Sequence, residues 1–198
     1  MLQHNDKSVS TLDKTIGKGK DVVSLSAFAY LYAELVNYHQ SRVLSIGDLE
    51  TELQNSGYGV GLRVLELYSF RGDAAGGNKR KFMKEVRVIG ALKFVAETLW
   101  KGLFGKAADS LEKGVDGDQE YMIHEATPVT NHFVSVPTHL GSLNCASYIA
   151  GIVKGVLDGS GFACEVTAHS VDEGGANKTV FLLKFSEDVI ARDKMLER

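Results

Sequence analysis

The stretch Phe162–His169, with the sequence FACEVTAH, decides the fold class because the spacing of apolar residues changes there. Its even-numbered residues are apolar and its odd-numbered residues are mostly polar, which is the two-residue period of a half-buried β-strand. A turn at Glu173–Gly175 then leads into Thr179–Phe185, TVFLLKF, which is rich in strand-forming residues. We therefore predict that the two segments pair as a β-hairpin.

Other segments of the second half predict more strands and two helices. Glu120–Glu125 (EYMIHE) and His132–Val136 (HFVSV) have the composition of strands. Ser142 is expected to cap a helix that runs to Leu157, since apolar residues recur at helical spacing between them. A last short helix is predicted to begin after Ser186.

In the first half, apolar residues recur every three or four positions, as in amphipathic helices. A first helix is predicted from Leu25 to Val43, and Ser45 is expected to cap a second one. Three glycines at 57, 59 and 61 interrupt the second helix, and each costs about 1 kcal/mol in a helix interior. Either the helix breaks near Gly57 or another backbone passes closely there; the sequence favours two helical pieces.

Beyond the second helix, Arg71–Lys81 has the composition of a loop. Phe82–Phe104 predicts a central, buried helix, because its apolar residues from Val86 through Ile89 to Leu99 surround the helix axis. Lys113–Asp118 then supplies turn residues.

Helices in the first half and strands in the second indicate an α+β fold, with helices packed on one side of a small antiparallel β-sheet. The length of 198 residues suits one domain, which we place at residues 21–198. Residues 1–20 are polar and are expected to form a flexible tail.

Composition excludes several classes of function. The chain has 22 basic and 25 acidic side chains, so its net charge of −3 offers no field for nucleic acid. Two cysteines cannot form a disulfide framework. With no apolar leader and no apolar run of membrane-spanning length, a soluble intracellular protein is expected.

No catalytic, cofactor-binding or metal-binding constellation is predicted, since the glycine-rich stretches and histidines lack the required spacings. Cys145 carries the enzyme alternative, because the first turn of a helix capped by Ser142 would lower the pKa of its thiol. A nucleophile also needs a base, and none is evident, so a packing role is favoured. Cys164 is expected in the core.

The first helix is apolar on two sides. Phe28, Tyr32, Leu35 and Val36 are assigned to the core of this domain. The opposite side is predicted to face a partner, and it consists of Ala27, Tyr30, Leu31, Glu34 and Tyr38.

A basic cluster is a further candidate site. The cluster consists of Lys79, Arg80, Lys81, Lys84 and Arg87, which would attract anionic lipid at up to about 1 kcal/mol per residue near such a surface. The alternative is a solvated loop and helix start. No aromatic RNA-binding motif accompanies the cluster.

Several short motifs resemble the Bet-three family of subunits of TRAPP, the transport protein particle. The family pattern Gly-Tyr-x-x-Gly-x-Arg is similar to residues 57–63. The other motifs are SLSAFA (Ser24–Ala29), GKAAD (Gly105–Asp109), LNCA (Leu143–Ala146), AGIV (Ala150–Val153), VTAH (Val166–His169) and VIARD (Val189–Asp193).

The resemblance implies a non-catalytic scaffold that has no cofactor. Family members pair through their first two helices, which adds Leu62 to the predicted partner interface. The resemblance further implies a bridge between the Bet-three subunit and a sedlin-like subunit. It places the chain in a complex that promotes nucleotide exchange on a Rab-type GTPase in ER-to-Golgi transport. The expected location is cytoplasmic, peripheral at the cis-Golgi and endoplasmic reticulum.

Some Bet-three proteins carry an acylated cysteine between their second and third helices. This chain has no cysteine from Gly57 to Trp100, so acylation at that place is excluded. Related folds bind hydrophobic ligands, and a small-molecule or lipid-binding domain is therefore the alternative function.

Overall fold

A computed structural model describes residues 23–74, 85–114, 117, 119–132, 134–141, 143–173 and 176–197. The predicted tail at residues 1–20 lies outside these ranges, and so do residues 79–84 of the basic cluster. Its fifth member, Arg87, is described and pairs with Asp193 at 2.9 Å and with Glu197 at 2.7 Å. The assignment of residues 21–198 to one domain stays a prediction.

The sheet has four antiparallel strands in the order β1-β2-β4-β3. The long hairpin of β3 and β4 pairs Cys164 with Phe185 and His169 with Val180, so the predicted hairpin is confirmed. The first strand of the sheet follows the helical half directly and was not predicted. The strands are β1 (Ser110–Lys113), β2 (Glu120–Glu125), β3 (Cys164–Glu173) and β4 (Ala176–Phe185).

Helices precede the sheet, connect β2 to β3 and follow β4. A π-helical segment, Phe94–Leu99, joins α3 to α4, and a 3-10 turn spans Thr138–Leu140. The helices are α1 (Leu25–Gln40), α2 (Ile46–Ala74), α3 (Val88–Lys93), α4 (Trp100–Phe104), α5 (Val129–His132), α6 (Ser147–Gly159) and α7 (Glu187–Met195). The α+β class is thereby confirmed.

The main core lies between α6 and the sheet. Val153 and Val156 of α6 belong to one buried cluster with Val166 of β3 and Leu183 of β4. Trp100, the first residue of α4, also packs into this core, since the centroid of its ring lies 5.4 Å from that of Phe181. The alternation predicted for β3 therefore places its apolar residues against α6.

One predicted strand, His132–Val136, and one predicted helix boundary are wrong. His132 ends the short helix α5, and residues 134–136 form no strand. The helix predicted over Phe82–Phe104 begins at Val88, as α3. Val86 precedes the helix and is exposed, and Ile89 in the first turn of α3 is exposed as well. Farther along, Leu92 of α3 and both Val95 and Leu99 of the π-helical segment are buried, as predicted.

The glycines of α2 do not break the helix, contrary to the prediction of two pieces. Helix α2 is continuous from Ile46 to Ala74 and crosses α6 with its backbone in direct contact. A Cβ atom on Gly57 would overlap the carbonyl oxygen of Tyr148, and one on Gly61 would overlap that of Ile152. Close approach of a second backbone is therefore the reason for these glycines. The predicted loop at 71–81 is helical as far as Ala74, and its remainder lies outside the described residues.

Candidate interaction surface

The inner side of α1 is fixed to the domain by a second, smaller core. Tyr32 and Val36 are buried against Leu49 and Leu53 of α2. The Tyr32 hydroxyl also donates a hydrogen bond of 2.5 Å to the carbonyl oxygen of Cys145. This anchoring sets which side of α1 remains in solvent.

The C-terminal end of α1 is held by polar contacts. The His39 ring lies 3.0 Å from the Ser56 hydroxyl of α2 and 3.8 Å from the Glu52 carboxylate. Asp48 confirms the predicted cap of α2, because its N–H donates to the Ser45 hydroxyl at 3.1 Å. Helix α1 is thus attached to α2 through Tyr32, Val36 and His39.

The outer side of α1 is exposed and strongly apolar. Tyr30 is 80% exposed, Leu31 73% and Tyr38 51%. Ala27 and Glu34 on the same side are exposed as well. These five residues fall at positions i, i+3, i+4, i+7 and i+11, so they share one face of the helix. We call these five residues the outer surface of α1. Its assignment to a partner stays a prediction.

Leu62, the sixth predicted interface residue, lies on α2 beside α6. It is 36% exposed. Its Cδ2 atom lies 3.1 Å from the position that a Cβ on Gly159 would take. The structure therefore places the Leu62 side chain next to the C-terminal end of α6.

The thiol of Cys145 is not activated. Helix α6 begins at Ser147 with Ala146 as its N-cap, so Cys145 precedes the helix instead of lying in its first turn. The side chain of Asn144 accepts the hydrogen bond of the Ala146 N–H, at 3.0 Å, and the predicted cap residue Ser142 lies outside the described residues. Cys145 is only 2% exposed, and burial raises the pKa of its thiol to about 11.

Cys164 is equally unreactive. It is buried in the main core, and burial raises the pKa of its thiol to about 12. Among the described residues no group of His, Cys, Asp or Glu is arranged to hold a metal ion.

We predict that Cys145→Ser leaves the function of the protein intact, because the thiol has a packing role. The free energy of unfolding should fall by about 1–3 kcal/mol, since the hydroxyl is buried where a thiol packs. Thermal melting checks the stability and co-purification checks the assembly. A serine variant that assembles but loses the activity of its complex would reveal a chemical role for the thiol.

A polar groove of about 740 Å³ separates the start of α2 from β3. Its polar groups already bond to one another. Glu50 accepts a hydrogen bond from the Asn144 N–H at 2.7 Å, and Gln54 donates one to the Val166 carbonyl oxygen at 2.7 Å. The Glu50 bond ties α2 to the segment before α6, and the Gln54 bond ties α2 to β3, so both side chains serve the fold.

An apolar groove of about 770 Å³ lies beneath the start of α1. Phe28, Val60, Phe104 and Ile152 are among the side chains that line it. Neither of the two cysteines of the chain is among its described lining residues. A thioester-linked acyl chain therefore has no described thiol in this groove.

The motif GKAAD serves the fold. Gly105 ends α4 in the left-handed conformation, at φ +82°, which favours glycine. Lys106 pairs with the buried carboxylate of Glu125 at 2.5 Å. The Ala126 N–H donates to Asp109 at 2.7 Å, and this hydrogen bond lowers the pKa of the Asp109 carboxyl.

These features define a class of protein: an α+β domain with helices on one side of an open antiparallel sheet, whose first helix shows an apolar outer side. The chain belongs to the family of transport protein particle (TRAPP) components, whose family model matches residues 28–186. Membership in this family of complex subunits implies a role in vesicle trafficking.

Individual relatives agree with this family. The chain is 42% identical over 187 residues to trafficking protein particle complex subunit 5 of Dictyostelium discoideum, which covers 93% of this chain and 97% of the relative. It is 44% identical to subunit 5 of Homo sapiens, over 94% of this chain and 93% of the relative. It is 28% identical to subunit 31 of Saccharomyces cerevisiae, over 86% and 78% of the two chains.

A solved structure shows the same fold. It is a trafficking protein particle complex subunit 3 from Naegleria fowleri covalently bound to palmitic acid. The TM-score is 0.64 at 18% identity, and the match covers 82% of this chain and 95% of that one. Within the part of the chain that the structure describes, no helix is long and apolar enough to cross a membrane.

Proposed function

We propose that this protein is a non-catalytic structural subunit of TRAPP that pairs with the Bet-three subunit through the outer surface of α1. The carrying observation is the exposure of Tyr30, Leu31 and Tyr38 on a helix whose inner side is firmly anchored. Contiguous exposed apolar side chains of this size are typical of interfaces with other proteins. Aromatic residues at the centre of such a surface supply much of the binding free energy.

The concentration of apolar side chains around α1 supports the proposal. Six of the large hydrophobic side chains exposed in the described residues lie between positions 23 and 44. They are Val23, Leu25, Tyr30, Leu31, Tyr38 and Leu44. Since α1 is held through Tyr32 and His39, this surface is presented by a fixed helix and pairing requires little reordering.

The proposal extends to the role of the whole complex. The chain bridges the Bet-three subunit and a sedlin-like subunit, and the complex promotes nucleotide exchange on a Rab-type GTPase in ER-to-Golgi transport. Exchange belongs to the assembled particle, and this subunit supplies no catalytic group. The particle acts on the cytoplasmic side, peripheral at the cis-Golgi and endoplasmic reticulum. Lys79, Arg80, Lys81 and Lys84 are the residues we assign to contact with anionic membrane.

Co-expression tests the proposal. The chain with the Bet-three subunit of the same organism should elute as a 1:1 complex, while the chain alone should self-associate weakly or behave poorly because its apolar surface is uncovered. Size-exclusion chromatography with light scattering measures both masses. A monodisperse monomer that ignores the partner would contradict the proposal.

The apolar groove favours one second candidate, a lipid-binding domain. Its lining of Phe28, Val60 and Ile152 suits an acyl chain, and the Naegleria relative is covalently bound to palmitic acid. In this chain such a ligand would be held without a thioester. Native mass spectrometry separates the two candidates: a retained lipid mass supports the groove, and an apo mass with a tight protein partner supports the scaffold.

A further inference from the structure

The outer surface of α1 has a carboxylate at its centre. Glu34 is exposed, and Tyr30, Leu31 and Tyr38 lie three or four positions from it on the same face. Positions three and four residues away in either direction hold no lysine or arginine. None of the described residues donates a hydrogen bond or forms an ion pair with this carboxylate.

The basic side chains that follow Glu34 are already engaged. His39 contacts Ser56 and Glu52 of α2, and Arg42 lies two residues past the end of α1. Its guanidinium stacks 3.5 Å from the centroid of the Tyr38 ring and donates a hydrogen bond of 2.7 Å to the Tyr38 carbonyl oxygen. Among the described residues, therefore, no side chain neutralises Glu34, and its exposed carboxylate is solvated by water.

A partner that covers this surface must replace that water. An ionised carboxylate buried without a counter-charge costs several kcal/mol, which would cancel much of the gain from the neighbouring tyrosines. A helix that brings a lysine or arginine opposite Glu34 converts this cost into a charge-assisted hydrogen bond. The surface thus fits an apolar helix that carries one basic residue at the centre of its face.

A second copy of this chain fits poorly. In a two-fold pairing through α1, residues near the centre of the surface meet their own copies. The surface runs from Ala27 to Tyr38, so Glu34 lies one to two residues from its midpoint. Two such carboxylates would be about 5 Å apart along the helix axis, inside a desolvated contact where like charges repel strongly.

We infer that Glu34 selects the partner of α1: it favours a helix with a central basic residue and disfavours symmetric pairing of this chain with itself. The inference rests on the proposed function, because it assumes that the outer surface of α1 is covered in the complex. It adds the chemistry of the partner and the reason for pairing between unlike chains.

The test compares Glu34→Gln with the unchanged full-length chain in two measurements. Removing the charge should tighten self-association at least about tenfold in sedimentation equilibrium, because the repulsion is lost. It should weaken binding to the Bet-three subunit by about tenfold to a hundredfold in titration calorimetry, because a buried charge pair is broken. Glu34→Lys should abolish binding to that subunit, since like charges then face each other.

Two control variants keep the inference apart from the proposed function. Glu187→Gln removes an exposed carboxylate from the first turn of α7 and should change neither equilibrium. Leu31→Glu should abolish pairing if α1 is the interface at all. If Leu31→Glu abolishes pairing and Glu34→Gln changes neither measurement, the inference is wrong and the proposed function stands. If Leu31→Glu also leaves pairing unchanged, both are wrong.

Discussion

A Gly57→Ala chain is expected to lose about 3 kcal/mol of its free energy of unfolding, although alanine is the better helix former. A Cβ at this position overlaps the carbonyl oxygen of Tyr148 and comes within 3.1 Å of the Ile152 amide nitrogen. Both atoms belong to the backbone of α6, which cannot turn aside as a side chain would. Helices α2 and α6 must separate, and the loss of packing exceeds the gain of about 1 kcal/mol in helix propensity.

Gly59→Ala is the matched control on the same helix. A Cβ there meets only the Nη1 atom of Arg63 at 3.3 Å, the far end of a flexible side chain. This variant should be neutral or more stable by up to about 1 kcal/mol. Chemical denaturation of both variants measures the difference, and equal stabilities would show that the backbones of α2 and α6 are not in contact.

The second large effect is expected on pairing rather than on folding. Leu31→Glu should leave the stability of the lone chain within about 0.5 kcal/mol, because the side chain is 73% exposed. In the complex the new carboxylate is buried without a counter-charge, and affinity for the Bet-three subunit should fall at least about a hundredfold. Thermal melting and titration calorimetry measure the two effects on the same preparation.

Two further variants serve as controls, one for loss of stability and one for the substitution itself. Tyr32→Ala, on the inner side of the same helix, should cost about 3 kcal/mol or more in the lone chain, since Tyr32 is 3% exposed and bonded to Cys145. Leu196→Glu makes the same change at an exposed leucine beyond α7 and should affect neither property. If Leu31→Glu melts as early as Tyr32→Ala, the outer side of α1 is part of the core.

Apolar spacing was sufficient to predict the fold class and the hairpin. The alternation in Phe162–His169 and the helical stripe after Leu25 each report one buried face, and burial against a single neighbour is a local property of a segment. Strand β2 was predicted with its observed bounds from its residue composition. The four-residue strand β1, SLEK, has no apolar alternation and is defined by its pairing with β2, which no local pattern contains.

The glycines of α2 show what a local pattern cannot supply. Gly57 and Gly61 are four residues apart, and so are Gly151 and Gly155 of α6. Gly61 meets Gly155, and Gly57 and Gly151 each meet the backbone of the other helix, at Tyr148 and at Gln54. The equal spacing on two distant segments was a signal for a close helix crossing. Glycine propensity alone predicted a break, because the packing that stabilises the continuous helix lies about ninety residues away along the chain.

The candidate site was predicted in part. Periodicity separated the buried Tyr32 and Val36 of α1 from the exposed Tyr30 and Leu31, because the two sides of one helix follow from its sequence. The environment of Cys145 was not predictable, since it depends on where α6 begins. Helix α6 begins at Ser147 with Ala146 as its N-cap, five residues after the serine expected to cap it, so Cys145 precedes the helix.

Site-specific photo-cross-linking tests the central claim, that the outer surface of α1 contacts the Bet-three subunit. A photoreactive phenylalanine analogue in place of Tyr30 retains an aromatic ring at an 80% exposed position, and the same analogue in place of Val171 on β3 serves as the control. In the co-expressed complex, we predict that position 30 cross-links to the Bet-three subunit and that position 171 does not. An intact 1:1 complex in which position 30 gives no cross-link to that subunit would contradict the account.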